Sequence, residues 1–256
     1  MKSLFVIAQK GTNLLVELLP TLLAKTKMRV AGVAFLTWRP ARRRRLGNGV
    51  RDRIQIYGVR AWAMRQVLGL RGRAIAPLRA YRLRSNLRAH AIPWLMFDNV
   101  NDPHFLDHVR RLAPDLVLSV PARQRFGPGL LSLPSIGCIN LHWGPLPDYR
   151  GLYSSFWSLY NGERETGVSI HFMNSDWDAG PIIAERRFSI SPEETVHSLD
   201  RKKLAIAPGL LSDALDTLIE DRVIARENDP HRGVYYSVPS RQALLSFRKE
   251  RGGRWL

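Results

Sequence analysis

Residues 4–35 read LFVIAQKGTNLLVELLPTLLAKTKMRVAGVAF, and this stretch decides the fold class. Leu4-Phe5-Val6-Ile7-Ala8 is a short apolar run closed by Gly11, as expected of a strand buried on both faces. Asn13 to Leu23 has a helical period, with Leu14, Leu15, Leu18, Leu19 and Leu22 on one side. Met28 to Phe35 reads as the next strand. Strand, helix, strand with so short a repeat calls for a right-handed crossover and a parallel sheet.

The alternation continues down the chain. Ile92 to Met96 is a short strand, and Asp102 to Leu112 a helix with Pro103 in its first turn. Asp115 to Val120 and Gly137 to Leu141 are buried strands. Ser154 to Tyr160 is expected to be helical, Gly167 to Met173 and Ile182 to Ser189 to be strands, the second antiparallel, and Thr195 to Glu220 to be a helix interrupted by Pro208. The expected architecture is α/β: a mostly parallel, Rossmann-like sheet with helices on both faces and a basic helical insert. Residues 1–220 would form the catalytic domain, with the insert at 38–90, and 221–256 a polar, basic tail rather than a domain.

Composition excludes several classes. One cysteine, Cys138, leaves no disulfide framework and no Cys-rich zinc module. No run of about 18 apolar residues is present, so no helix would span a membrane. The start of the chain reads as a strand rather than a signal peptide, so the cytoplasm is the expected compartment. Of the formal net charge of +17, the segment from Arg39 to His90 supplies +14, from fifteen Arg against the single acid Asp52. Ile54, Tyr57, Ala61, Met64 and Leu68 form a stripe at spacings of three and four, flanked by Arg53, Arg60 and Arg71. A solvated basic face, an RNA- or nucleic-acid-binding surface and peripheral attachment to an anionic membrane are all open readings of this insert.

Chemistry concentrates in two segments. Gly137 to Gly151 (GCINLHWGPLPDYRG) carries a buried strand into a loop stiffened by two prolines. Asn140 and His142 lie two apart, so on an extended chain they point the same way, toward the edge where α/β sheets bind ligands. An amide beside an imidazole suits addition to a carbonyl: one holds the oxyanion, the other takes a proton or stabilises charge. Val168 to Ile183 (VSIHFMNSDWDAGPII) is a strand, an acidic loop and a second strand. In that loop Asp178 precedes a flexible Ala-Gly step. A carboxylate there can orient an imidazole and raise its basicity, while a turn closed on its own backbone is the plainer use of Asp176 and Asp178.

Together these segments resemble the folate-dependent formyltransferases, the family of glycinamide ribonucleotide transformylase, methionyl-tRNA formyltransferase and the amino-sugar N-formyltransferases. The resemblance is carried by Asn140, His142, Leu146, Pro147, Tyr149, Arg150 and Gly151, then Gly167, Val168 and His171, then Asp178, Gly180, Ile182 and Ile183. It implies transfer of a formyl group from 10-formyltetrahydrofolate to a primary amine by direct attack, without a metal. It also implies Asn140, His142 and Asp178 as the catalytic trio, and Arg123, Gln124, Phe126 and Asp176 on the donor side. Gly11, Thr12 and Asn13, at a helix start suited to anions, would hold a substrate phosphate. Trp143-Gly144 stands where the family has Pro-Ser, and is expected to reshape the pocket. Only 36 residues follow Glu220, fewer than the barrel-like domain of the tRNA enzyme. That turns the expected acceptor toward a phosphate-bearing amine such as a nucleotide-linked amino sugar or an envelope precursor. The tRNA and glycinamide ribonucleotide acceptors are the alternatives, and a non-catalytic RNA- or membrane-binding module is the reading from another class.

Overall fold

The computed structural model describes residues 1–11, 14–37, 50–250, 252 and 254–255. A seven-stranded sheet runs through the molecule. Its strands are β1 (Ser3–Gln9), β2 (Arg29–Leu36), β3 (Trp94–Phe97), β4 (Leu116–Val120), β5 (Gly137–His142), β7 (Glu165–Phe172) and β8 (Ile182–Ser189), in the order β3-β2-β1-β4-β5-β7-β8. The first five are mutually parallel, and β7 and β8 are antiparallel to their neighbours. A short β6 (Tyr149–Gly151) pairs separately with β9 (Val234–Tyr236).

Helices α1 (Leu14–Lys25) and α7 (Val196–Ile219) cover one face of the sheet. All five leucines of the expected apolar side of α1 are buried there, beside Leu4, Val6, Leu116, Leu118 and the Leu210–Leu215 stretch of α7. Successive side chains of a strand face opposite ways, so the alternate residues Phe5, Ile7, Val117 and Cys138 meet Phe105 and Val109 of α4 (Pro103–Leu112) on the other face. Asp102 caps α4, accepting from the backbone N–H groups of His104 and Phe105. Burial also pushes the Cys138 thiol up to about 12, consistent with a small apolar residue.

Three expectations are corrected. Helix α7 runs unbroken through Pro208, because its packing against the sheet outweighs the missing hydrogen bond. The segment after residue 220 is more than a polar tail. It supplies β9 and α8 (Arg241–Glu250), and Ala243, Leu244, Phe247 and Trp255 build a third core cluster with Phe156 and Leu159 of α6 (Ser154–Asn161). The stripe from Ile54 to Leu68 is not one helical face, since Gly58, at φ +80°, separates α2 (Val50–Tyr57) from α3 (Val59–Ala89). Residues 38–49 of the insert lie outside the described residues. A single turn, α5 (Pro128–Leu131), lies between β4 and β5. Among the described residues no helix is long and apolar enough to cross a membrane.

Candidate active site

Strand register brings the site together. On the antiparallel pair β5/β7, Asn140 lies opposite His171 and His142 opposite Ser169. The loop between β7 and β8 then carries Asp178 back over this edge. Asp178 Oδ1 lies 3.4 Å from His142 Nδ1, 3.6 Å from His171 Nε2 and 3.5 Å from Asn140 Nδ2, and Asp178 Oδ2 accepts a 2.8 Å hydrogen bond from the Gly151 N–H. The three residues expected to act together are therefore within reach of one another.

The protonation pattern follows from the partners. His142 is buried, with its Nε2 facing the Tyr149 carbonyl oxygen at 2.7 Å and its Nδ1 facing the Asp178 carboxylate. Both neighbours are acceptors, so both ring nitrogens are best served as N–H donors. Burial opposes that charge, but the Asp178 charge, its hydrogen bond and the Tyr149 carbonyl outweigh it and raise the imidazole above its usual range. Asp178 answers in the opposite sense. Burial favours its neutral form, yet the two histidines hold it well below the ordinary carboxylate range. These partners favour the protonated form of His142, and of the two roles open to it in sequence, charge stabilisation fits this better than proton abstraction.

His171 orients the amide. Its Nδ1 meets the Phe172 carbonyl at 2.7 Å, and its Nε2 lies 3.2 Å from Asn140 Nδ2 and 3.6 Å from Asp178 Oδ1. The second Asn140 N–H makes only the long 3.5 Å contact to Asp178, the kind of bond that an incoming oxyanion displaces. His171 belongs to the matched motif, but its role becomes visible only through the β5/β7 register.

Several backbone devices hold Asp178 in place. Its φ of +50° is left-handed and unusual for a non-glycine. Asn228, itself buried, clamps the turn by donating Nδ2 to the carbonyls of Asp178 (3.0 Å) and Gly180 (2.8 Å). A Cβ on Gly180 would come within 1.9 Å of the Phe172 carbonyl oxygen, so only glycine fits. Asn228 lies in the segment read as a tail, and nothing in the sequence joined it to the site.

At the Trp143-Gly144 departure the packing is specific. The partly buried Trp143 side chain packs against the main core cluster. At Gly144 a Cβ would lie 2.8 Å from the Tyr149 carbonyl oxygen and 3.1 Å from His142 Nε2, so this chain holds the loop closer to the imidazole than a serine would permit. The Trp143 carbonyl accepts from Lys203 Nζ at 2.9 Å, and from the Ser154 hydroxyl. Lys203 is fully buried, and burial pushes its amine down to about 7.

The other expected contacts divide. Arg123 is exposed, and Asp176 is exposed and paired with Arg125 at 3.3 Å. Phe126, in contrast, is 2% exposed within the core, so its ring is not available to a ligand. Gln124 accepts from the Val100 N–H and donates to the Asp98 carbonyl, both at 2.8 Å, which makes it a brace for the neighbouring loop. Gly11 turns at φ +82° with open space about it, and Thr12 and Asn13 lie outside the described residues. A cavity of about 850 Å³ lined by Asp148, Tyr149, Glu163, Arg164, Arg187 and Arg232 shares none of Asn140, His142 and Asp178.

A mostly parallel α/β sheet whose edge gathers an amide, an imidazole and a carboxylate places the chain in the Rossmann-like class of folds, with a candidate active site at the sheet edge. The chain belongs to the formyl transferase family, whose model matches residues 80–215. It is 30% identical over 175 residues to the methionyl-tRNA formyltransferase of Thermotoga maritima, covering 68% of this chain and 55% of that protein. It is 36% identical over 140 residues to the corresponding protein of Geobacter sulfurreducens, covering 55% of this chain and 44% of that one. The chain thus spans about half the length of these curated relatives. In fold it is similar to glycinamide ribonucleotide transformylase 1 from Symbiobacterium toebii (TM-score 0.63, 18% identity, covering 90% of this chain and 95% of that one). It is also similar to the N-formyltransferase from Helicobacter canadensis, solved with folinic acid and dTDP-3-aminofucose (TM-score 0.60, 15% identity, covering 97% of this chain and 80% of that one).

Proposed function

We propose that this protein transfers a formyl group from 10-formyltetrahydrofolate to a primary amine, and that Asn140, His142 and Asp178 carry the reaction. The convergence of these three side chains supports this reading above all else. The amine lone pair attacks the formyl carbon, and the carbonyl electrons move onto oxygen. The resulting oxyanion is met by the Asn140 N–H that it draws from its long contact with Asp178, and by the positive field of His142. A water positioned by the Asp178 carboxylate carries the amine proton to N10 as the C–N10 bond breaks, releasing tetrahydrofolate and the formamide. On the donor side, Arg123 and Asp176 remain the accessible candidates.

The acceptor we favour is a phosphate-bearing amine of the nucleotide-linked amino-sugar or envelope-precursor class. Its support is the set of exposed rings beside the carboxylate. Trp177 precedes Asp178, Tyr153 follows the Gly151 turn, and the Tyr235 ring stands against Gly151 itself. Such rings offer a stacking surface to a planar base. A methionyl-tRNA acceptor is the second reading, favoured by the names of the curated relatives. The test is release of tetrahydrofolate from 10-formyltetrahydrofolate with nucleotide-linked amino sugars, charged initiator tRNA and glycinamide ribonucleotide offered in parallel. Turnover with the amino-sugar class alone is the expected result. Turnover with tRNA alone overturns the acceptor, and turnover with none of a broad amine panel overturns the chemistry.

A further inference from the structure

Helix α3 has 31 residues, about 46 Å of helix at 1.5 Å per residue, and only Leu87 on it is buried. Its inward side docks by Leu83 and Leu87 on the main core. The opposite side is exposed and apolar. Val67, Leu70, Ala74, Leu78 and Tyr81 follow one another at spacings of three and four, with Met64 and Ile75 alongside. Leu70 is 62% and Tyr81 69% exposed. Arg60, Arg71 and Arg82, spaced by eleven residues or three turns, run along this same face, and Arg73 and Arg84 border it. From Val59 to Ala89 there are eight arginines and no acid. Most of this helix lies ahead of the family match, which begins at residue 80.

A continuous apolar strip of this size on a soluble surface marks an interaction site. Three occupants compete. A second copy of the same helix would set arginine rows against each other, an arrangement that like charge opposes. A nucleic-acid backbone would engage the arginines but leave the large aliphatic side chains in water. The interface of an anionic bilayer satisfies both: acyl chains accept Leu70, Leu78 and Ile75, while lipid phosphates meet the interleaved guanidinium groups. At its N-terminal end the helix also borders a cleft of about 560 Å³ lined by Tyr57, Arg60, Met64, Arg248 and Trp255. That is an aromatic floor with a guanidinium rim, suited to the same partner.

We propose that α3 lies along the surface of anionic membranes, its outward face at the level of the headgroups, so that the enzyme works as a peripheral membrane protein. The experiment is co-sedimentation of the full chain with vesicles of phosphatidylcholine alone and of phosphatidylcholine containing about a third phosphatidylglycerol, at low and high salt. The protein should pellet with the anionic vesicles only, and high salt should release it. The triple variant Arg60→Glu, Arg71→Glu, Arg82→Glu should lose on the order of 100-fold in vesicle affinity. Leu70→Ser with Leu78→Ser should lose on the order of 10-fold at low salt, where charge is untouched. All five positions are remote from the proposed catalytic residues, so both variants should keep the wild-type circular dichroism and thermal midpoint. The proposal is overturned if wild-type protein shows no anionic-lipid-dependent pelleting, if folded variants bind as well as wild type, or if duplex RNA competes the protein off the vesicles and is itself bound only through the arginines.

Discussion

Asp178 Oδ1 stands 3.4 Å from His142 Nδ1, while the other nitrogen of the same ring faces the Tyr149 carbonyl at 2.7 Å. An imidazole between two acceptors is most stable as a cation, and its raised pKa agrees with that. The folded value lies above the unfolded one, so this group's stabilisation is fully present below the unfolded pKa of about 6.5. It is lost as pH climbs through the raised folded value. His142 should therefore hold its proton to a higher pH than a free imidazole in imidazole nitrogen NMR. In Asp178→Asn burial is no longer opposed by a carboxylate, and the ring should lose its proton at a lower pH than in the wild type. A neutral His142 in the wild-type protein at pH 6.5 would sink the assignment.

Removing the amide tests the oxyanion role. Asn140→Ala should lower kcat by about 10²–10³, the usual cost of losing one donor to a developing oxyanion, with little change in KM for the amine. Asp178→Ala should lose at least as much, since it also neutralises His142. Thermal melting separates lost chemistry from lost folding. Near-normal turnover of a folded Asn140→Ala protein would show that another donor meets the oxygen.

Much of this site could be read in the sequence, for physical reasons. Asn140 and His142 share a face because a strand has period two, and the apolar runs of β1, β2, β4 and β5 could be read because strands buried on both faces need no alternation. His171 could not be given its role, since strand period alone does not fix which residue of β7 lies opposite Asn140. Asn228 is more remote still: its hold on Asp178 joins residues fifty apart through loop geometry without a periodic signal. Phe126 misled in the other direction, because an aromatic in a loop after a strand looks the same in sequence whether it faces ligand or core. The stripe from Ile54 to Leu68 failed at one residue, Gly58, whose positive φ resets the helical phase.

Gly151 tests how strictly the backbone must hold the carboxylate. Its φ is +90°, and a Cβ would lie 2.2 Å from the Tyr236 carbonyl oxygen. Gly151→Ala should thus push β6 from β9 and withdraw the N–H that Asp178 Oδ2 accepts. A destabilisation of about 2–4 kcal/mol and loss of most activity are expected. Gly69→Ala provides the contrast. It lies within α3 with nothing within 4 Å of the added carbon, so the protein should gain about 0.5–1 kcal/mol by helix propensity. Comparable melting curves for the two variants would refute this account.

Lys203 offers a pH signature distinct from that of the His142–Asp178 pair. Its amine is fully buried and reaches only the Trp143 carbonyl and the Ser154 hydroxyl, with Asp200 partly offsetting the desolvation. The folded pKa is pushed down to about 7, whereas the unfolded chain keeps its proton to about 10.4. Between those values the unfolded state binds more protons, so stability should rise with pH across this window. Denaturant titrations at pH 7 and pH 9.5 should record that rise in the wild type. Lys203→Met removes the titrating group, and the slope it contributes should vanish even though the variant leaves the Ser154 hydroxyl oxygen without its donor. An unchanged slope in Lys203→Met would mean that the amine is already hydrated in the folded protein, and that the Trp143 carbonyl beside His142 is held by other contacts.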